Sequence, residues 1–568
     1  MGSSNERGGI SMHKIRKRLG DMLVEAKLLS VEQIEQVFKE KEPGEKLGEA
    51  LIKKGLITEH QLIEVLEEQL GIPKVSLYNY PFDEKLFSLV PKSVAKKNFI
   101  IPMKRVGNEL FVAMADPMDF YLINDLRLST GFQISTAIAT KDDISRAIAK
   151  HYDLQDFVGE WLEVRNTITE PEAIREEVKD EDSPVIQLVN SILQNAVSQH
   201  ASDIHVDPRE KDVVIRIRVD GKLQNERVLP KDIHGVLLAR IKIMANLDIT
   251  ERRLPQDGRI RVAIDVRQVD LRIATLPTIF GEKVVVRILD MNQTVTHINQ
   301  LGLSPNNLRK FTKMIKSPNG LVLITGPTGS GKSSTLYASL NKLNDEDVNI
   351  ISIEDPVEYQ LEGINQVQVN TANGMTFASG LRAILRQDPN IIMIGEIRDR
   401  DTAEIAVRAS LTGHLVLSTL HTNDSIGSLL RLVDMGVEPF LVASSLSGVV
   451  SQRLVRKICR DCRTEVPVTK REYEIFEHYG LTANRLYRGM GCQSCYMTGY
   501  RGRMAIHEVL LVDDQMRRAL LDGESTSVLY DLAKQNGTTF LLEDGLQKVV
   551  EGFTTTEEVL KIVSLGEE

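Results

Sequence analysis

Four short apolar runs in the second half of the chain constrain its fold more than any other feature. They are residues 321–324, 350–353, 391–394 and 415–417. The runs are too short for typical helices and apolar on both faces, which is typical of parallel strands covered on both sides. Glycine, acidic, hydroxyl or histidine residues lie next to each run. Because ligands bind beyond the carboxyl ends of strands in open α/β sheets, we predict an α/β fold with an active site at one sheet edge.

A glycine-rich segment follows the first apolar run. Residues 326–333 read GPTGSGKS, a full match to G-x-x-x-x-G-K-[ST] between a predicted strand and a helical stretch. Such glycines let backbone N–H groups converge on phosphate oxygens, and the helix N-terminus adds a positive dipole. We expect Lys332 to reach the β- and γ-phosphates of ATP, and the Ser333 hydroxyl to bind Mg²⁺. The predicted nucleotide-binding residues are Gly326, Thr328, Gly329, Ser330, Gly331, Lys332, Ser333 and Ser334.

Acidic residues follow the second and third runs. Hydrolysis needs one group that orients or deprotonates water and another that holds the hydrated metal. We assign Glu358 as the water-activating base, Glu396 as the carboxylate on the metal side, and Asp355 to the nucleotide site. Taken singly, each of these residues also fits an ordinary solvated or helix-capping acid. Their positions at strand ends favour the catalytic interpretation.

Two histidines flank the fourth run. His414 precedes it and His421 follows it. A histidine near the γ-phosphate can sense hydrolysis, because its hydrogen bond to that phosphate disappears afterwards. The alternative for each is a structural histidine with its hydrogen bonds satisfied.

All four cysteines of the 568-residue chain lie in one short region. They form two C-x-x-C pairs, Cys459 with Cys462 and Cys492 with Cys495. This spacing fits a tetrahedral zinc site, and four sulfur ligands leave no open position, so the predicted role is structural. Buried free thiols are the alternative.

The first 70 residues contain an internal repeat. Residues 18–41 and 46–69 align at an offset of 28, with leucine, glycine, an acidic residue and leucine in register. Ser30 with Gln33 and Thr58 with Gln61 fit a capping box that begins a second helix in each copy. Each copy therefore predicts a short helix, a turn and another helix.

Composition and terminal sequence limit the possible partners and location. Acidic residues outnumber basic ones by 79 to 70, giving a net charge of −9. This balance disfavours electrostatic binding of nucleic acid as the function. No stretch approaches the roughly 20 apolar residues of a membrane span, and residues 1–7 are polar with no signal core. The clustered cysteines fit a reducing compartment. We expect a cytoplasmic protein, and any role at a membrane would require a partner.

The chain divides into regions of different pattern. Residues 72–150 alternate short apolar runs and helical stretches, whereas residues 170–182 are dense in acid. Strand-like alternation marks residues 213–219, 269–273 and 284–289, and Ser304-Pro305 begins a helix. We predict an N-terminal region at 1–160, a linker at 161–182, a sheet domain at 183–300, and a nucleotide-binding domain at 301–568 that includes a zinc subdomain at 455–505.

Several longer motifs occur in fixed order: IEDPVEY, IIMIGEIRD, GHLVLSTLHTND, ASDIHVDP and RLPQDGRI. With the glycine-rich segment, they resemble the Walker A, Asp box, Walker B and His box of the bacterial type II/IV secretion ATPase superfamily. The cysteine pairs resemble its assembly and secretion branch. The resemblance covers nearly the whole chain. It implies an α/β multidomain protein with a RecA-like P-loop ATPase core, preceded by a PAS-like α+β domain and an N-terminal helical plus α+β regulatory domain, with a zinc-binding insert.

The same resemblance implies a homohexameric motor that hydrolyses ATP to extend type IV pili. Its partners would be an inner-membrane platform protein and an assembly-complex docking protein, with peripheral membrane association and no nucleic acid. Arg272 and Arg287 match arginines that complete the family's active site, although alone they would be surface strand residues. Three alternatives remain: a type II secretion motor, a cyclic di-GMP-controlled switch with slow turnover, and a DNA-translocating motor.

The N-terminal repeat resembles the MshEN domain, whose paired motifs bind cyclic di-GMP. The matching residues are Arg18, Leu19, Gly20, Leu23, Lys46, Leu47, Gly48, Leu51, Leu62, Leu66 and Gln69. A glycine at a helix end lets the backbone approach a phosphate, and exposed leucines can stack on guanine faces. Ile34, Phe38 and Lys41 depart from the motif in the first copy. A helical docking domain with core leucines is the alternative.

Overall fold

A computed structural model of the chain describes most of its residues. They are 19–26, 28–41, 47–57, 62–63, 65–67, 71–75, 77, 80, 82–141, 143–148, 151–152, 183–264, 267–290 and 296–564. The chain forms two units, Met1–Val189 and Asn190–Glu568. The proposed linker at 161–182 lies outside the described residues.

The first unit combines short helices with a small sheet. Its helices include α1 (Leu19–Glu25), α2 (Val31–Glu40), α3 (Leu47–Lys53), α4 (Lys92–Asn98) and α5 (Phe120–Thr130). The predicted capping box begins α2: the Ser30 N–H donates to Gln33 Oε1 at 2.9 Å, and the Gln33 N–H donates to Ser30 Oγ at 3.3 Å. Thr58 and Gln61 lie outside the described residues.

The small sheet contains β1 (Ile100–Val106), β2 (Glu109–Met114) and β3 (Gln133–Ile138). Strands β1 and β2 pair antiparallel as a hairpin, and β3 joins β2 in parallel after α5. Ile100, Ile101 and Leu110 of this sheet are fully enclosed in one apolar cluster. The prediction of an α+β unit in this region is confirmed.

The second unit begins with α6 (Pro184–Ser198, which starts before the unit boundary) and a six-stranded antiparallel sheet. Its strands are β4 (Ala201–Pro208), β5 (Asp212–Val219), β6 (Lys222–Pro230), β7 (Gln256–Ile264), β8 (Arg267–Thr278) and β9 (Gly281–Asp290), and α7 (His234–Met244) follows β6. The order across the sheet is β6-β5-β4-β9-β8-β7. Alternating polar and apolar residues predicted β5, β8 and β9, and all three are present.

A seven-stranded sheet carries the glycine-rich segment. Its strands are β10 (Gly320–Thr325), β11 (Ile350–Glu354), β12 (Asn365–Gln368), β13 (Ile391–Ile394), β14 (Leu415–Leu420), β15 (Leu446–Ile458) and β18 (Tyr500–Leu511). Their order is β12-β11-β13-β14-β10-β15-β18, and only β18 runs antiparallel to its neighbour. All four predicted strands are present, and they are parallel.

Helices cover both faces of this sheet. Leu321 and Leu323 of β10 belong to one buried cluster, while Val322 and Ile324 belong to another. Successive strand residues point to opposite faces, so the alternation shows an apolar core on each side. The covering helices are α8 (Pro305–Ile315), α9 (Lys332–Leu343), α10 (Phe377–Ile384), α11 (Arg400–Leu411), α12 (Ser425–Asp434), α13 (Pro439–Ser445), α15 (Asp514–Leu521) and α16 (Thr526–Gln535).

The cysteine region forms a smaller module. A two-stranded antiparallel sheet joins β16 (Arg463–Pro467) and β17 (Arg485–Gly489), with α14 (Lys470–His478) between them in sequence. Helices α17 (Leu541–Val550) and α18 (Thr556–Ser564) pack with it through a shared apolar cluster. Among the described residues, none of the helices combines the length and apolar character needed to cross a membrane.

Candidate active site

The phosphate loop, residues 326–331, connects the buried end of β10 to the start of α9. Two of its glycines have positive φ and close neighbours. A Cβ at Gly326 (φ +143°) would lie 2.4 Å from the Gln452 carbonyl oxygen, and a Cβ at Gly331 (φ +91°) would lie 3.1 Å from Gln452 Nε2. Only glycine fits these conformations without strain. The loop therefore follows the backbone path that the motif predicted.

Lys332 begins α9 and folds back over the loop. Its Nζ donates to the carbonyl oxygens of Gly326 at 2.8 Å and Pro327 at 3.0 Å. Burial lowers the pKa of Lys332, and the nearby negative charge of Glu396 opposes this shift. Ser330 Oγ is buried and has no hydrogen-bond partner among the described residues. A charged amine and an unpaired buried hydroxyl at one loop suit an incoming phosphate.

Exposure differs around the loop. Gly326 and Ser330 are buried, Gly331, Lys332 and Ser334 are half-buried, and Thr328, Gly329 and Ser333 are exposed. The Ser333 hydroxyl is therefore accessible to a hydrated cation. Hard cations such as Mg²⁺ prefer oxygen ligands, so this residue type fits the predicted metal role.

Glu396 lies just beyond β13 and pairs with two cationic or protonatable side chains. Arg398 Nη2 is 2.5 Å from Glu396 Oε1, and His421 Nε2 is 3.3 Å from Glu396 Oε2. His421 follows β14, the neighbour of β13 in the sheet. The structure therefore brings Glu396, His421 and Lys332 to one sheet edge, as the pattern of strand ends predicted.

Glu358 is held by an arginine of the six-stranded sheet. Arg272 Nη2 lies 2.8 Å from Glu358 Oε2 and also donates to the carbonyl oxygens of Val357 at 3.0 Å and Glu358 at 3.2 Å. Arg287 is the register partner of Arg272 on β9. It pairs with Asp203 at 3.1 Å, and 61% of its side chain is exposed. The structure thus joins Arg272, and not Arg287, to the acidic segment.

Sequence reasoning missed Tyr337 and the structural role of Glu354. The Tyr337 hydroxyl donates to the buried Glu354 carboxylate and accepts from the Glu358 N–H at 3.1 Å. Gln366 Nε2 also donates to Glu354, at 3.1 Å. These contacts fix the segment that leads to Glu358, while Asp355 beside it is exposed. Tyr337 lies in the apolar stripe of α9, so in sequence it is indistinguishable from a core residue.

The expectation that His414 senses the γ-phosphate requires correction. His414 precedes β14, whereas the phosphate loop and His421 follow their strands. Because β10 and β14 are parallel, His414 lies at the opposite sheet edge, where its carbonyl accepts from the Gly320 N–H at 3.1 Å. Its Nδ1 lies 2.9 Å from the Ala409 carbonyl oxygen. The structure assigns it a local structural role within this chain.

A buried carboxyl group anchors the segment that carries His421. We call residues 421–425 the His segment. Glu508 of β18 accepts hydrogen bonds from the N–H of Ser425, at 2.9 Å, and from its hydroxyl. Burial raises the pKa of Glu508 to about 7; the Ser425 hydrogen bonds oppose this, and the charge of Asp424 adds to it.

We expect Glu508→Gln to stabilise the chain above neutral pH. The folded chain holds the Glu508 proton more tightly than the unfolded chain, so the stability from this group is complete below about pH 4.5 and is lost as pH rises through about 7. That shift corresponds to about 3 kcal/mol. Urea unfolding at pH 5 and pH 8 should show the variant gaining on wild type at the higher pH. The exposed Glu477→Gln serves as control, and equal pH dependence in wild type and Glu508→Gln would contradict the expectation.

The four cysteines converge in the small module. Their sulfur atoms all lie within 4.8 Å of one another, with Cys459–Cys492, Cys462–Cys495 and Cys492–Cys495 separations of 3.7, 3.8 and 3.7 Å. Tetrahedral zinc with Zn–S bonds of about 2.3 Å needs S–S separations of about 3.8 Å. Burial raises the pKa of Cys459, and a bound cation would favour its thiolate. The donor set fits zinc.

The structure corrects part of the proposed cyclic di-GMP motif. Leu23 and Leu51 are fully buried in a core cluster, and Leu66 is 8% exposed, so these three are not exposed stacking surfaces. Cβ atoms at Gly20 and Gly48 would lie 3.2 and 3.0 Å from Ile34 and Leu62, so both glycines allow close helix packing. Leu19, Leu47 and Leu62 are partly buried. Arg18, Lys46 and Gln69 lie outside the described residues.

A phosphate loop after a buried parallel strand, with a carboxylate and a histidine at neighbouring strand ends, defines a P-loop ATPase. The chain belongs to the type II/IV secretion system protein family, whose description matches residues 178–561, and it is an ATPase of that family. A second family description, the MshEN domain, matches residues 70–157. That match lies after the N-terminal repeat on which the sequence argument for this domain was based.

Two curated relatives and one solved structure show how far the similarity extends. The type IV pilus assembly ATPase PilB of Myxococcus xanthus is 43% identical over 557 residues, covering 96% of this chain and 98% of the relative. The type II secretion system protein E of Pseudomonas aeruginosa is 42% identical over 484 residues, covering 83% and 96%. The ATPase DotB of Legionella pneumophila matches with a TM-score of 0.51 at 23% identity, over 66% of this chain and 95% of DotB. The last comparison supports the fold alone.

Proposed function

We propose that this chain is the ATP-hydrolysing motor of type IV pilus assembly. One observation carries the proposal: the likeness to a pilus assembly ATPase extends over nearly the full length of both chains. It therefore includes the N-terminal region as well as the ATPase core. The motor works as a ring of six copies, at the cytoplasmic side of an inner-membrane platform protein and an assembly-complex docking protein, without binding nucleic acid.

A type II secretion motor is the second candidate. A secretion system relative is almost as similar, at 42% identity, but its match covers a smaller share of this chain. Both motors would use the same nucleotide chemistry, because the ATPase core is common to the family. Their cargo separates them: one assembles pilins and the other assembles pseudopilins that secrete protein.

The positions of the side chains support the catalytic roles that we propose. Lys332 exchanges its bonds to the loop carbonyls for phosphate oxygens, and the N–H groups of residues 326–331 surround the same phosphates. Ser333 and Glu396 would hold Mg²⁺, which supplies positive charge to offset the negative charge that develops in the reaction. Glu358 orients the attacking water and accepts its proton. His421 lies 3.3 Å from Glu396 Oε2, and from there it would sense the γ-phosphate.

The two arginines take different roles in the proposed ring. Arg272 contacts Glu358 of its own chain, whereas most of Arg287 is exposed. An exposed guanidinium can bind a phosphate with two parallel hydrogen bonds. Arg287 therefore suits a nucleotide held at a neighbouring copy, while Arg272 positions the acidic segment within the chain.

The remaining regions have regulatory and structural roles. Residues 1–160 form the MshEN-like domain and bind cyclic di-GMP, which the family match at 70–157 supports. Residues 183–300 form a PAS-like domain around the six-stranded sheet, and residues 301–568 form the RecA-like domain. The cysteine module at 455–505 binds structural zinc, as its sulfur geometry supports.

A deletion strain of the source organism tests the proposed function. We expect complementation with the wild-type gene to restore surface pili, and complementation with Lys332→Ala to fail. Pili are counted by electron microscopy, and secreted enzymes are assayed in the same cultures. Replacement of the exposed Lys470 by alanine serves as control, since its side chain is 93% exposed and far along the sequence from the loop. If the deletion strain kept normal pili but no longer secreted enzymes, the second candidate would be favoured.

A further inference from the structure

Gln452 of β15 lies beside the phosphate loop and is 1% exposed. Strand β15 runs parallel to β10, with Ser451 opposite Thr325, so it continues past the point where β10 ends. The Gln452 backbone occupies the space that a side chain at Gly326 would need. The loop therefore packs directly on this strand.

The Gln452 side chain bridges two parts of the nucleotide site. Its Nε2 donates to the Ser330 carbonyl oxygen at 2.8 Å, and its Oε1 accepts from Thr335 Oγ1 at 2.8 Å. A carbonyl oxygen can only accept, so the NH₂ group must face Ser330, and the amide orientation is fixed. The bridge joins the end of the phosphate loop to the first turns of α9.

The neighbours of Gln452 hold the His segment. Ser451 Oγ donates to the Asn423 carbonyl oxygen at 3.3 Å, and Arg453 Nη2 lies 3.3 Å from Asn423 Oδ1. Successive strand residues point to opposite sides, so β15 contacts the phosphate loop on one side and the His segment on the other. His421 of that segment contacts Glu396. Strand β15 therefore fixes the distance between the phosphate loop and the His segment, which line the site on two sides.

We propose that Gln452 is a positioning residue for ATP binding and hydrolysis. It holds the Ser330 carbonyl away from the nucleotide, so that the N–H groups of the loop and the Lys332 amine converge on the same phosphates. Preorganised donors lower the cost of binding because less of the loop has to be ordered. The inference rests on the nucleotide site proposed above.

The full-length Gln452→Leu variant tests this role, because leucine has a similar size and removes both hydrogen bonds. We expect about a ten-fold weaker affinity for ADP and a similar rise in the KM for ATP, since the net loss of one or two hydrogen bonds is of that order. We expect kcat to change less than the KM for ATP. Calorimetry with ADP and steady-state kinetics measure these quantities.

Ser339→Ala is the matched control. Ser339 is buried on α9, the helix that also carries Thr335. Its hydroxyl donates to the Thr335 carbonyl at 2.7 Å and does not contact the phosphate loop. We expect Ser339→Ala to lose about as much thermal stability as Gln452→Leu and to keep the wild-type affinity for ADP. A folded Gln452→Leu protein with wild-type ADP affinity and KM would overturn the inference.

A second variant keeps the inference testable if Gln452→Leu does not fold. The side chain of Gln452→Met has a similar length and no charge, but it cannot donate to the Ser330 carbonyl. Weaker ADP binding in this variant supports the role of the donor, and wild-type affinity overturns it. Wild-type protein that does not bind ADP would overturn the nucleotide site itself, which is a distinct result.

Discussion

Glu358→Ala should retain ATP binding and lose most of its turnover. General-base catalysis typically contributes a factor of about 10² to 10⁴ in rate, so kcat should fall by that order. Binding should persist because Lys332 and the phosphate loop, which hold the phosphates, do not contact the Glu358 side chain through any described hydrogen bond. Steady-state phosphate release gives kcat, and equilibrium titration with a fluorescent ATP analogue gives the affinity.

Two comparisons sharpen this experiment. Glu362→Ala removes an exposed acid four residues further along the same segment and should leave kcat unchanged. Arg272→Lys keeps the positive charge but cannot reproduce three guanidinium contacts, so it should lower kcat through misplacement of Glu358. If Glu358→Ala turned over ATP at the wild-type rate, another group would have to be the base.

Removal of the cysteine ligands should produce the largest effect on local stability. Replacing Cys459 and Cys462 together with serine should release about one zinc ion per chain and unfold the module at 455–505. Structural zinc sites contribute about 10–16 kcal/mol of apparent binding free energy in small domains, far more than a typical core substitution. Metal analysis of the purified protein and limited proteolysis of the module measure the two outcomes.

The module also provides its own control. Ser494 lies between Cys492 and Cys495 but contributes no sulfur, so Ser494→Ala should retain zinc and resist proteolysis like wild type. Chelation of wild-type protein should reproduce the behaviour of the double serine variant. Wild-type protein purified without metal, and with an intact module, would show that the cysteines act as buried thiols.

The functional residues at the strand ends were predictable from the sequence, because a buried parallel strand is recognisable from a short run of apolar residues. The segment 391–394 is apolar throughout and is followed by Gly395-Glu396, and the structure places β13 at those four residues. In contrast, β12 and β15 contain polar residues whose partners are distant in sequence. Gln452 contacts Ser330 from 122 residues away, and no local pattern can reveal such a pairing.

The sheet edge at which a side chain lies, and how deeply it is buried, were harder to predict than the type of residue needed. His414 has suitable chemistry but precedes its strand, and only the parallel pairing of β14 with β10 shows that this places it at the wrong edge. The leucines of the N-terminal repeat show the same limit. Leu23 and Leu51 occur in a recognisable pattern, yet helix packing encloses both, which a sequence pattern alone does not distinguish from exposure.

The ion pair between Arg272 and Glu358 links the proposed base to the six-stranded sheet. The Arg272 guanidinium pairs with Glu358 Oε2 and also holds the backbone of the same segment through the Val357 and Glu358 carbonyl oxygens. We therefore expect a displacement of the six-stranded sheet relative to the seven-stranded sheet to move Glu358 and to change the rate of ATP hydrolysis. Load on the six-stranded sheet would then reach the water-activating carboxylate through a single side chain.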